Sequence, residues 1–194
     1  MNTSVDGARV ARPLFHAEDG GSIPTSTLHA HELVFGPCHK TLAVDLTRRW
    51  HSRLPNTQDG PWEYAFAAEH NGIVYAVALW NTPSARCLPQ HWLELRRLAC
   101  APDAPKNTPS RFLGWMVRWF RKNTPHRERV VSYQDKTVHL GTIYLASGWT
   151  VASESKTRMR NRSKPRVGTS RAYRSNLNGV DIDAGAKVRW EMKL

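Results

Sequence analysis

The densest run of chemistry-bearing side chains is Ser132-Tyr133-Gln134-Asp135, followed by Lys136-Thr137-Val138-His139 and then Leu140-Gly141-Thr142-Ile143-Tyr144. The pattern reads as a strand, a polar loop and a helix start, and the carboxyl end of a strand is where open α/β sheets place their sites. Asp135 and His139 share one loop and can polarise an amine or relay its proton, while Tyr144 can protonate a leaving group. Taken singly, Asp135 also suits the closing of a turn, and Tyr144 suits packing under a sheet. Their convergence beside a second polar segment is what points to catalysis. That segment, Ala104-Pro105-Lys106-Asn107-Thr108-Pro109-Ser110-Arg111, runs from a strand into a helix N-terminus, where backbone amides and the dipole favour an anion. Lys106, Arg111 and the hydroxyls of Thr108 and Ser110 add donors suited to a phosphate or pyrophosphate. A capped helix with surface cations fits the same residues equally well.

Other patterns lead nowhere. Neither GxGxxG nor GxxxxGK[ST] occurs, so dinucleotide and P-loop chemistry have no support. His16-Ala17-Glu18 with Pro37-Cys38 imitates a zinc-deaminase signature, but His39, Lys40 and Thr41 follow where a second cysteine is needed. His29-Ala30-His31 offers two imidazoles, too few for a metal site. No metal is assigned. Cys38, Cys87 and Cys100 are odd in number and form no CxxC pair, which excludes a disulfide scaffold and favours a reducing, cytoplasmic compartment.

The elements that must position these groups follow from periodicity. Residues 1–37 are rich in Gly, Pro, Ser, Thr and His and read as an N-terminal arm, leaving 38–194 as one domain. Leu42, Leu46, Trp50 and Leu54 recur every four residues, a helical stripe ended before Pro55. Trp62, Tyr64, Phe66 and Ala68 alternate as a strand, Asn71-Gly72 makes a tight hairpin, and Ile73 to Trp80 is a buried strand. Trp92 to Cys100 reads as a strand interrupted by Arg96 and Arg97. Thr108 as cap and Pro109 at the first helical position open a helix whose buried stripe is Leu113, Met116, Val117 and Phe120. Arg129 to Tyr133 is a strand, Gly141 to Ser147 a short helix stopped by Gly148, and Trp149-Thr150-Val151 begins another strand. Residues 187–194 alternate as a terminal strand. Helix, hairpin, strand, helix, strand, helix, strand specifies α/β (or α+β) with a mixed sheet.

Charge narrows the partner. In 194 residues, 28 Lys and Arg face 16 Asp and Glu, a net +12 that a neutral-ligand enzyme does not need. Clustered cations suit nucleic acid, whose condensed counterions they release. A membrane partner has no support: no apolar run approaches the ~18 residues of a span, no amphipathic basic helix stands out, and the N-terminus lacks a secretory h-region. The cations concentrate in Lys156, Arg158, Arg160, Arg162, Lys164, Arg166, Arg171 and Arg174, a stretch with no acidic residue and with Tyr173 interleaved. Arg158, Arg160 and Arg162 would share one face of an extended strand. Because a patterned strand follows, 156–174 reads as a basic loop anchored at both ends and laid on phosphates rather than as a solvated tail.

A strand entering a helix N-terminus, with Tyr-x-x-x-Gly-Trp at Tyr144–Trp149, resembles the GNAT superfamily of N-acyltransferases. The resemblance implies a mixed central sheet flanked by helices, a helix N-terminus holding the pyrophosphate of coenzyme A, and a tyrosine that protonates the departing thiolate. The superfamily motif (Q/R)xxGx(G/A) is replaced here by Ala104–Arg111. That replacement, with Ser132–Asp135, His139–Tyr144 and Trp50-His51-Ser52-Arg53-Leu54-Pro55, is similar to the Mom family of phage DNA-modification proteins, best over residues 93–151. The similarity implies attachment of a small carbamoyl-containing group to the exocyclic N6 amine of adenine in double-stranded DNA, shielding phage DNA from restriction. It carries site roles to Asn107, Ser110, Tyr133, Asp135, His139 and Tyr144, and to Arg97 and His51. The donor it leaves open between acyl-CoA (acetyl-CoA) and another carbamoyl or acyl donor.

Modifying an adenine amine requires taking the base out of the stack, at a cost of a few kcal/mol, and clamping the flanking backbone. Tyr133, Trp149 or an arm aromatic can stack on the flipped base. Three functions compete: a DNA adenine-modifying transferase, an acyltransferase on a small-molecule or protein amine, and a non-catalytic DNA-binding protein. Asp135, His139 and Tyr144 together argue against the last. Salt dependence of duplex binding separates the first two.

Overall fold

The computed structural model of the chain describes residues 28–51, 57–155, 158–160, 182–184 and 186–194. Seven strands form one sheet in the order β1-β2-β3-β4-β5-β9-β6, where β1 is Val34–Pro37, β2 Tyr64–His70, β3 Ile73–Asn81, β4 Leu93–Cys100, β5 Arg129–Asp135, β6 Thr150–Ser155 and β9 Lys187–Lys193. Neighbours run antiparallel except β4 and β5, which are parallel. A parallel pair needs a crossover, and helix α2 (Thr108–Asn123) supplies it. The remaining strands β7 (Arg158–Arg160) and β8 (Ile182–Ala184) pair with each other.

Each helix covers one face because its sequence has one apolar stripe. On α2 the stripe is Phe112, Leu113, Met116, Val117 and Phe120, all buried against Phe66, Trp80, Leu93, Leu95 and Val130. On α1 (Lys40–Trp50), Val44 and Leu46 pack on the opposite face, against Ala65, Val74, Val77, Leu79 and Ala99. The short helix α3 (Thr142–Ala146) joins α2 on the first face and buries Tyr144. No helix among the described residues is long and apolar enough to cross a membrane.

The mixed sheet and the three helices lie where periodicity put them, with four differences. Helix α1 ends at Trp50, where His51 turns to extended backbone and donates its amide to the Thr47 carbonyl, rather than running on to Leu54. Val34–Pro37, read as the end of the arm, is an edge strand paired with Phe66–Glu69. Four residues containing Gly and Pro carry no period to betray a strand. The cap of α2 is Asn107, at φ 69°, rather than Thr108. Asparagine tolerates this left-handed backbone, which lets the chain enter the helix one residue early. Thr108 is then the first helical residue, and its buried hydroxyl donates to the Pro105 carbonyl at 2.7 Å. Finally, β5 runs on to Asp135, which pairs with Lys187.

Candidate active site

The site is built on a split in the sheet. Strands β4 and β5 pair only over Leu93–Leu95 and Val130–Ser132. Beyond that point β4 stays with β3 as far as Cys100, and β5 stays with β9 as far as Asp135, so a fork opens between them. A bulge lies at the same place: Trp80 faces Leu95 and Leu79 faces Arg97, leaving Arg96 as the extra residue. Bulges bend the strand that carries them, which helps β4 leave its neighbour.

Alternation along β5 sorts the functional groups between the two sides of the fork. Ser132 and Gln134 face α2 and α3. The Ser132 hydroxyl lies 2.9 Å from the Tyr144 phenol, in a buried setting at the last residue paired to β4. Tyr144 stacks on Trp190 with ring centroids 5.3 Å apart and borders Trp149. Burial pushes its phenol above the ordinary tyrosine value, against a smaller lowering by the Ser132 hydrogen bond. At neutral pH this group holds its proton and can only donate it. Gln134 fixes the arrangement: its Nε2 donates to the His139 carbonyl at 2.6 Å, and its Oε1 accepts from the Trp190 indole at 2.7 Å.

Tyr133 and Asp135 lie on the other side, with α1. The Asp135 Oδ1 accepts from the Thr137 amide at 3.0 Å and the Thr137 hydroxyl at 2.5 Å, closing a turn that aims the carboxylate. His139 rounds the end of β5, its ring 6.1 Å from that of Tyr144 and within electrostatic reach of Asp135. Burial lowers its value more than Asp135 raises it, and its Nδ1 accepts from the Gly141 amide, which places the proton of the neutral ring on Nε2. His51, at the end of α1, is likewise lowered by burial and then by Arg97. Arg97 lies opposite Leu79, hence on the α1 side, donating through Nε to Thr57 Oγ1 at 3.3 Å and through Nη1 to the Arg96 carbonyl at 2.7 Å.

The N-terminus of α2 borders two clefts. One, of about 330 Å³, is lined by His29, His31, Lys106, Asn107 and Arg111. The other, of about 320 Å³, runs between α2 and α3 past Ser110, Arg111, Gly114, Arg118 and Ser147. The backbone offers an anion less here than a usual first turn. Thr108 donates its amide to Pro105, Pro109 has none, and Arg111 donates to Asn107, which leaves the Ser110 amide. Positive charge must come from Lys106, Arg111 and Arg118. Thr108, expected among the anion's donors, has its hydroxyl buried and engaged away from both clefts.

The structure thus brings Tyr144, His139 and Asp135 to one fork, adds His51 and Arg97 on its α1 side, and sets Asn107, Ser110 and Arg111 at the α2 entrance. Trp149, 2% exposed, has no face for a stacked base. The positioning roles of Ser132 and Gln134 follow from the period-two alternation of β5, which separates them from Tyr133 and Asp135, whereas Arg118, in the middle of α2, has no local signal. Of the basic stretch, Arg158 and Arg160 lie on β7, opposite Ala184 and Ile182. Lys156, Arg162, Lys164, Arg166, Arg171 and Arg174 fall outside the described residues. Among the described residues, no three His, Cys, Asp or Glu are placed to hold a metal.

A family model described as the Mom protein family matches residues 32–187. The chain belongs to the Mom protein family. Solved structures show that this Mom chain has the fold of GNAT acetyltransferases. An IAA acetyltransferase from Bacillus cereus superposes with TM-score 0.55 at 14% identity, over 84% of this chain and 99% of that one. A Bacillus subtilis acetyltransferase in complex with CoA gives 0.56 at 11%, over 84% and 99%. A GNAT family acetyltransferase from Elizabethkingia anophelis with acetyl-CoA bound gives 0.54 at 13%, over 84% and 99%. No curated protein sequence matches this chain.

Proposed function

We propose that this Mom-family chain is a transferase that places a small acyl- or carbamoyl-type group on the N6 amine of adenine in duplex DNA. The observation that carries the transfer is the fork itself, with a protonated phenol on one side and a fixed carboxylate on the other. The adenine amine is a weak nucleophile because its lone pair is delocalised into the ring. Asp135 takes the amine's proton as the new bond forms, with His139 or His51, both neutral at pH 7, available to pass it on. Tyr144 returns a proton to the leaving group, held in line by Ser132. The acceptor's identity rests on membership of the Mom family. Such work belongs in the cytoplasm of a phage-infected bacterium.

For the donor, the fold suggests coenzyme A, which two of the similar structures contain. The residues fit it through side chains more than through amides: Lys106, Ser110, Arg111 and Arg118 would hold phosphates at the two clefts, and the fork would admit the pantetheine arm. Bound there, an acyl-CoA supplies an activated acyl group on a thioester. Another acyl or carbamoyl donor with an anionic handle would use the same cations.

A second reading keeps the transfer and replaces DNA with a small-molecule or protein amine. What favours it is that the solved structures sharing this fold are acetyltransferases. One experiment separates the two. Plasmid co-expressed with the protein is digested to nucleosides and searched by mass spectrometry for a heavier deoxyadenosine. Modified adenine is expected from wild type, reduced about 10²–10⁴-fold by Asp135→Asn or Tyr144→Phe. Unmodified plasmid under several donor conditions refutes the adenine reading, and undiminished modification by both variants removes these residues from the mechanism.

A further inference from the structure

The α1-side face of the fork carries more charge than a folded sheet needs. Cross-strand pairing puts Glu94, Val131 and Glu191 on one level of this face and Tyr133 beside Arg189 on the next. Arg96 and Arg97 project from the bulge on the same side, Arg129 from the start of β5. Two of these groups are buried carboxylates, Glu94 and Glu191, each 6% exposed. A buried carboxylate is costly unless paired, so these two must be there to hold something.

What they hold is arginine. Glu94 accepts from the Ser84 amide and hydroxyl through Oε2 and lies 3.2 Å from Arg96 Nε through Oε1. Glu191 accepts from Arg129 Nη1 at 2.9 Å and lies 2.9 Å from Arg189 Nε. Arg96 is tied further to the Thr82 carbonyl, and Arg129 lies 4.9 Å over the Trp92 ring. Four guanidiniums (Arg96, Arg97, Arg129 and Arg189) thus stand against two carboxylates, orientated in advance of any partner.

At the open end of this cluster, beside Arg189, is Tyr133. It is the exposed aromatic residue among the described ones, 37% accessible between buried Ser132 and Gln134. It sits one residue past the last β4–β5 pair, at the opening of the fork, with Arg189 and Glu94 beside its phenol. An exposed flat ring beside one held guanidinium, on a face that carries three more, is complementary to a ligand with one π-face and several anionic oxygens. A nucleotide within a strand has both, whereas an acidic peptide has the anions and not the face. We infer that this face docks the extracted adenine, with Tyr133 stacking on the base and Arg96 and Arg189 directed to its flanking phosphates. The inference rests on the proposed DNA acceptor and names the residues that position it. It also assigns opposite faces of the sheet to the two substrates, with the donor on the Ser110 and Tyr144 side.

The test uses the full chain and two probes: a duplex with one bulged adenine, and the same duplex with an abasic residue at that position. Base–aromatic stacking predicts about 5- to 150-fold tighter binding of the bulged adenine by wild type. Tyr133→Leu should abolish that preference and Tyr133→Phe should keep it. Arg96→Gln and Arg189→Gln should weaken both probes alike and flatten the salt slope. Because the two probes are compared on wild type itself, poor folding of a variant does not decide the matter. Equal binding of both probes by wild type, or a preference that survives Tyr133→Leu, overturns the platform. So does displacement of the bulged duplex by poly-glutamate at equal charge concentration. If plasmid adenine is still modified in those cases, the docking face alone is wrong; if it is not, the acceptor reading falls with it.

Discussion

Replacing Gly141 with alanine should do more damage than any other single methyl added near the site. Gly141 has φ +77° and caps α3, and a Cβ there would lie 2.5 Å from Gln134 Oε1 and 2.8 Å from Trp190 Cζ2. Gly148, past the other end of the same helix, has φ +81°, yet a Cβ there meets only the flexible Met192 Cε at 3.4 Å. Both substitutions incur the left-handed cost of roughly 1–2 kcal/mol. Only Gly141→Ala also forces apart Gln134 and Trp190, whose 2.7 Å hydrogen bond is buried. Overpacking a core or breaking a buried hydrogen bond costs about 1–3 kcal/mol, so Gly141→Ala should be less stable than Gly148→Ala by about that amount. In a chain of this size that is roughly 2–12 °C between their melting temperatures. Circular dichroism melts measure the difference, and plasmid nucleoside analysis measures the consequence. Gln134 also holds the His139 carbonyl, so its displacement should move His139 and Tyr144 together and suppress modification in Gly141→Ala alone. Equal melting of the two variants would show the clearance to be irrelevant. A destabilised Gly141→Ala with full activity would show that Gln134 does not position the site.

Tyr144→Phe strands the buried Ser132 hydroxyl at a cost of about 1–3 kcal/mol, and adding Ser132→Ala removes both partners; the double variant should regain stability in urea titrations while its modification stays lost. Arg158, Arg160 and Arg162 changed together to Ala should weaken duplex binding at all sequences and lower the salt slope by roughly one unit per lost phosphate contact, as titrations at several salt concentrations would reveal. Ser110→Ala should reduce modification while leaving the melting temperature near wild type, since its hydroxyl donates only to the local Asn107 carbonyl. His51 and His139 are held below 6.5 in the folded chain, so the unfolded chain takes up protons first on acidification; their contribution is present above about pH 6.5 and lost as pH falls below it. His139→Gln should flatten the stability–pH curve in that window, and an unchanged curve would refute the assignment.

Much of this fold is legible because local rules agree with one another. Leu113, Met116, Val117 and Phe120 fall at helical spacing and are all buried. Asn71-Gly72 turns the hairpin with φ 50° and 78°. Val188 and Trp190 alternate with exposed or half-buried neighbours along β9 before the strand becomes more buried at Glu191. The fork is not legible in the same way. Arg96 looks like one more residue of a charged strand, and only the register of β3 shows that it is the extra one. The parting of β4 from β5 is a tertiary choice, made where β3 and β9 each keep their own partner. Of the ion pairs that hold the arginines, Arg129–Glu191 joins residues 62 positions apart, a distance no local pattern spans.

On the proposed mechanism, the fork also accounts for one short segment carrying both halves of the proton chemistry. Consecutive residues of β5 point to opposite sides of the sheet, so Ser132-Tyr133-Gln134-Asp135 supplies each side in turn. Ser132 and Gln134 lie on the side where the proposed transfer gives a proton: Ser132 bonds Tyr144, Gln134 bonds Trp190, and burial keeps the phenol protonated beside Trp149 and Trp190. Tyr133 and Asp135 lie on the side where the proposed transfer takes a proton, near two imidazoles that burial keeps neutral. Environments that push an acid and a base in opposite directions are how one site runs both at neutral pH. Placed on one face, the phenol and the carboxylate could hydrogen-bond each other and satisfy their needs without substrate. A strand between them prevents that, and the opening beyond Ser132 is where the two sides can meet across a reacting group.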